Sequence, residues 1–169
     1  MSTTTDKHVL YLILEAISRG ATTDRKLFSK LSGLSREIIE KTLNEAIKEG
    51  LVEVEEKGHI IRRRMFKMTD KGKRVLEELR NEILTQVRKS LEETKKLINE
   101  GRKEEAKQKV REIEHVAPAL AALGILQEMI EDALLFTFLT DALGIPIIIM
   151  PGMVDVEDFD DLDNVEDIF

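Results

Sequence analysis

Cysteine is absent from this 169-residue sequence, which excludes disulfides, thiolate metal sites and a cysteine nucleophile. Long uncharged runs are lacking too. The two longest, Val116 to Gln127 and Ala142 to Val154, fall short of the ~20 apolar residues that a helix needs to cross a bilayer. No Gly-rich phosphate loop, activated serine or paired-carboxylate motif occurs, so the chain is read as non-enzymatic. Its three histidines are far apart in sequence. Glu112 and His115 form a Glu-x-x-His pair of the sort used in di-metal bundles, but such sites need two pairs and two further glutamates. A solvated charged face accounts for the same letters, and no metal or other cofactor is expected. No signal peptide precedes the first helix pattern, which points to the cytoplasm and to no membrane partner.

What is present suits one compact domain or two small ones, because apolar residues make up 42% of the chain and charged residues 35%. A charge-rich, cysteine-free composition also suits a hyperthermophile. The formal net charge is −7, but eight acids lie in residues 155–169 with no Lys or Arg among them, leaving +1 for the rest. Residues 1–68 carry 13 basic and 10 acidic side chains. The chain is therefore mildly basic at its head and acidic at its tail.

In the head, Val9, Leu10, Ile13, Leu14 and Ile17 predict an amphipathic helix over residues 6–19, ended by Gly20. Thr22 and Thr23 offer caps for a second helix over about 24–32. Ser35 can cap a third, which Gly50 can end. Inside that third helix Ile39, Leu43, Ala46 and Ile47 share one face, while Arg36, Glu37, Glu40, Lys41 and Asn44 point the other way. Next, Leu51 to Glu56 alternates as a half-buried strand, Lys57-Gly58 turns, and His59 to Met68 returns as a second strand. Arg62, Arg63 and Arg64 lie on that returning strand, with Arg62 and Arg64 on one face and Arg63 on the other.

The order helix, helix, Gly33-Leu34-Ser35, Ile39, Leu43, Ala46, Gly50-Leu51-Val52, basic hairpin, Thr69-x-x-Gly72 resembles the winged helix-turn-helix domain of MarR- and PadR-type transcriptional regulators. It covers residues 6–75. The resemblance implies a prokaryotic regulator, archaeal sources included, that binds double-stranded DNA. Ser35, Arg36, Lys41 and Asn44 would face the major groove, where Arg matches guanine and Asn matches adenine. Arg62, Arg63, Arg64 and Lys67 would follow the phosphates or the minor groove. Glu37 and Glu40 on the groove face, and Glu53, Glu55 and Glu56 on the outgoing strand, keep a second reading open: a non-enzymatic winged-helix module that binds protein.

Beyond Thr69 the pattern is helical to Glu100-Gly101, ~45 Å at 1.5 Å per residue. Leu76, Leu79, Ile83, Val87, Leu91, Thr94 and Ile98 recur at a period of eleven over three, which predicts a straight or faintly right-handed pairing. Arg102 to Ala117 reads as a charged helix folding back on this rod, and Pro118 as a kink or a new start. Residues 118–143 are apolar nearly all round, including Leu120, Leu123, Ile130, Leu134 and Phe138, so a helix there must be covered from several directions. A second subunit is expected to cover it, giving a homodimer that presents two heads. The prolines of Gly144 to Pro151 predict an extended segment. Beyond it, the acidic-hydrophobic residues 155–169 predict a disordered tail that folds on a protein partner or competes with DNA for Arg62–Arg64. The expected fold is mainly α with a small β-hairpin wing. It comprises an N-terminal winged helix-turn-helix domain (1–69), a C-terminal long-helix dimerisation arm (70–154) and the acidic tail (155–169).

Overall fold

Side-chain caps set where several of the helices begin. In the computed structural model, which describes residues 4–58, 60, 61 and 63–145, α1 spans Thr4–Ser18, α2 Asp24–Lys30 and α3 Arg36–Lys48. The Thr23 hydroxyl accepts from the Lys26 N–H at 3.2 Å and the Ser35 hydroxyl from the Ile38 N–H at 3.2 Å. Each satisfies a donor that the first helical turn leaves open. Strands β1 (Val52–Lys57) and β2 (Arg63–Met68) pair antiparallel, with Val52 opposite Met68 and Lys57 opposite Arg63. The second strand thus begins at Arg63. Arg62, the extended segment beyond Ile145 and the acidic stretch 155–169 lie outside the described residues.

The long helix α4 (Asp70–Asn99) starts at Thr69, whose hydroxyl accepts from the Gly72 N–H at 2.9 Å. Gly72 is fixed by packing, since a Cβ there would stand 2.1 Å from the Leu51 carbonyl oxygen. Helix α4 is locked to α1 by Glu15. Buried at 1% exposure, its carboxylate accepts two hydrogen bonds from Arg80, both at 2.9 Å, and one from Arg19 at 3.1 Å. The Tyr11 hydroxyl is buried beside it.

The stripe expected to pair in the dimerisation arm is covered within the chain instead. Leu76, Leu79, Ile83, Val87 and Leu91 are all buried within the single chain, because α1 and α5 (Lys103–Val110) pack on that stripe. Thr94, the weak position of the pattern, is buried without penalty because its hydroxyl donates to the Ser90 carbonyl at 2.7 Å. Ile98, near the helix end, is half-buried.

A second correction concerns the C-terminal helices. The charged helix stops at Val110 and gives way to a 3-10 turn, Arg111–Ile113. Val110, Ile113 and Val116 are spaced by three, and the tighter turn stacks i and i+3 on one side, so all three are buried. Residues 118–143 form three short helices in place of one: α6 (Ala117–Ala122), α7 (Ile125–Met129) and α8 (Ala133–Leu143). Pro118 sits in the first turn of α6, where its missing N–H leaves nothing unpaired. Gly124, at φ +80°, breaks the chain between α6 and α7. Asp132 then caps α8, accepting from the Leu134 N–H at 2.9 Å. Leu120 and Ile130 are buried by the chain itself, Leu123 and Phe138 are half-buried, and Leu134 is 74% exposed. One apolar core runs without a break from Val9 to Ile145, across the expected boundary at residue 69.

Candidate nucleic-acid interface

Helix α3 owes its orientation to one apolar face. Ile39, Thr42, Leu43 and Ala46 are buried against α1 and the start of β1. That burial turns Ser35, Arg36, Glu37, Glu40, Lys41 and Asn44 to solvent, and all six are exposed. Gly50 ends the element at φ +78°, a conformation that L side chains rarely adopt. The exposed face offers two cations, one amide and one hydroxyl, with two carboxylates set among them. The Arg36 guanidinium lies 4.9 Å above the ring of Phe28 on α2, which holds it at the α2–α3 edge.

The hairpin is pinned to the head by its returning strand. The Phe66 N–H donates to the Thr22 carbonyl at 2.7 Å, and Thr23 bridges to Met65. Phe66 itself is buried. Arg64 makes a bidentate pair with Asp24 at the start of α2, at 3.0 and 2.7 Å, and its guanidinium lies 5.2 Å from the Phe66 ring centroid. Hydrogen bonding to Asp24 holds the guanidinium in its charged form against partial burial, with help from the charges of Asp24 and Glu40. Arg64 is therefore a strut between β2 and α2 as well as a surface cation. Arg63 is half-buried and faces Lys57 across the ladder, while Lys67 is exposed opposite Glu53.

The structure thus brings Ser35, Arg36, Lys41 and Asn44 together on one face of α3, while Arg63, Arg64 and Lys67 lie on β2, which packs mainly on β1, α1, α2 and α4. Sequence reasoning missed Asp24, which stands 40 residues from its partner and carries no local signal. It also missed Ile60 and Ile61, 80% and 68% exposed at the hairpin turn. Their signal was legible as two consecutive apolar residues where a turn calls for polar ones. Among the described residues there is no group of three or more side chains able to hold a metal ion, and no helix long and apolar enough to cross a membrane. Comparison of the chain with protein-family models, with curated proteins and with solved structures finds no match.

Proposed function

We propose that the chain is a winged helix-turn-helix protein that binds double-stranded DNA in a sequence-specific manner and acts in the cytoplasm as a dimeric transcriptional regulator. Helices α2 and α3 form the helix-turn-helix, and β1–β2 the wing. The observation that carries this reading is the outward face of α3, where Arg36, Lys41 and Asn44 project from a helix capped at Ser35 and seated on the core. Arg and Asn can each make bidentate contacts to a base edge, worth ~1–3 kcal/mol of discrimination apiece. Lys67 supplies phosphate contact that adds affinity without sequence preference. Glu37 can accept from a cytosine amine. The charge of Glu40 is felt by Arg64, which lessens its repulsion toward phosphate. Leu134 and the half-buried Leu123, Ile98 and Phe138 are the apolar side chains of the expected dimer set that the chain leaves open to a second copy.

Fluorescence anisotropy on labelled genomic duplexes tests this. The double variant Arg36→Ala/Asn44→Ala is expected to lose the gap between its best duplex and random DNA, while Lys67→Ala weakens all duplexes alike and lowers the salt slope by ~1. Equal binding of every duplex by the wild type would refute sequence-specific recognition. A protein-interaction module is the second reading, favoured by the exposed pair Ile60 and Ile61. It requires that no duplex binds at low salt.

A further inference from the structure

His8 and His115, 107 positions apart, meet in the fold. His8 Nδ1 and His115 Nε2 are 2.8 Å apart, with ring centroids 4.3 Å apart and the planes tilted by 50°. His8 belongs to α1 and is 7% exposed; His115 is exposed and follows the 3-10 turn that leads into α6. At this distance the two nitrogens share a hydrogen bond, so one must carry a proton and the other a lone pair. If each ring carries its proton on Nε2, the commoner form of neutral histidine, the His115 Nε2–H donates to His8 Nδ1. The reverse arrangement needs both rings in the less common Nδ1–H form.

The two rings then respond to acid differently. A proton added to the far nitrogen of His115 leaves its donor in place. By contrast, once His115 carries both its protons, a proton on His8 Nδ1 removes the last acceptor and sets two N–H groups against each other.

The surroundings of His8 offer that proton little compensation. Burial lowers the pKa of His8, and the charge of His115 lowers it further. Glu82 on α4 raises it and Lys7 on α1 lowers it, and these two are themselves paired at 3.5 Å. A cleft of about 360 Å³ beside the pair is lined by Lys89 and Glu93 of α4, Lys109 of α5 and Glu112 of the 3-10 turn. Lys109 bridges Glu93 and Glu112, so those charges are largely answered among themselves.

We infer that the His8–His115 contact is a proton-operated latch between α1 and the segment from the 3-10 turn through α6, closed while one of the two facing nitrogens accepts and released when both carry protons. Helix α1 packs mainly on α3 and α4, so its hold on this C-terminal segment is sparse and one polar contact weighs heavily. The latch does not depend on what α3 binds, and the failure of either proposal leaves the other standing.

Hydrogen exchange on the full chain at pH 7.5 and 5.0, corrected for intrinsic exchange rates, tests it. In the wild type, residues 111–122 are expected to lose protection several-fold relative to α2 and α3 at the lower pH. His8→Gln, whose carbonyl oxygen can accept from His115 but cannot titrate, is expected to keep that protection. Equal loss in all helices, no loss, or the same local loss in His8→Gln would each overturn the latch. Should His8→Gln fail to fold, ring titration by NMR decides the matter in the wild type and His115→Gln. His8 is expected to titrate below an ordinary histidine and to move upward in His115→Gln. An ordinary, unmoved titration overturns the proposal.

Discussion

Glu15 sits in an apolar stretch of α1, between Leu14 and Ala16, and is as buried as the leucines around it. Burial alone would raise its pKa, but hydrogen bonds from Arg80 and then Arg19 outweigh that and hold the carboxyl below its ordinary range. The Tyr11 hydroxyl beside it is pushed upward, by burial first and by the Glu15 charge second. A carboxyl whose pKa is depressed by folding contributes stability that is present above its unfolded pKa and lost as pH falls through the folded one. Glu15→Gln is therefore expected to cost ~3 kcal/mol at neutral pH, the low end for a broken buried pair because both arginines keep contact with water. It should also flatten the acid limb of a plot of urea midpoint against pH. An unchanged midpoint at pH 7 would show that the pair adds nothing. Gly72 is the other residue without tolerance: Gly72→Ala drives a methyl into the Leu51 carbonyl and is expected to lower the melting temperature by several degrees, at ~1–3 kcal/mol of strain. A melting curve superimposable on the wild type would contradict the packing described. Neither role was legible in the sequence. In the sequence Glu15 is only a residue off the apolar stripe of its helix, and Gly72 only a letter of a motif, because both roles come from chain segments distant in sequence.

At the scale of elements, the first half of the chain was largely legible and the second half was not. Ser35, Gly50 and Thr69 mark helix ends through local chemistry, capping hydroxyls and a left-handed turn, so their reading needs no tertiary information. The stripe on α4 was visible as well, but its partner was not. Periodicity shows that a face must be covered and says nothing of whether α1 and α5 or a second chain covers it. In residues 118–143 the apolar letters carry no period, and Gly124 and Asp132 decide the breaks. Alternation separates Arg63 from Arg62 and Arg64 in the sequence but names no partner for any of them. In the fold Arg64 is tied to Asp24, so Arg64→Ala should loosen β2 from α2. Its expected signature is a lower thermal stability together with faster hydrogen exchange in β2. Exchange as slow as in the wild type would mean the pair is not a strut.

At the scale of the whole molecule, one continuous core joins the head to the C-terminal helices, and away from the hairpin turn the large apolar side chain left exposed among the described residues is Leu134 of α8, where the proposed dimer would form. Two substitutions separate a dimer built there from one built on α4. Leu134→Lys is expected to turn a dimer into a folded monomer in sedimentation, with its melting temperature changed little. Val87→Lys, at a side chain 2% exposed, is expected to unfold the chain. A folded monomer from Val87→Lys would restore α4 as the interface. The central claim, that the outward face of α3 reads DNA, is tested most directly by selecting bound duplexes from a random pool at ~150 mM salt. The wild type is expected to enrich one motif, arranged as two half-sites ~34 Å apart if two heads bind together. That enrichment should vanish for Arg36→Ala/Asn44→Ala. A pool that stays random with the wild type, or the same motif selected by the double variant, would contradict it.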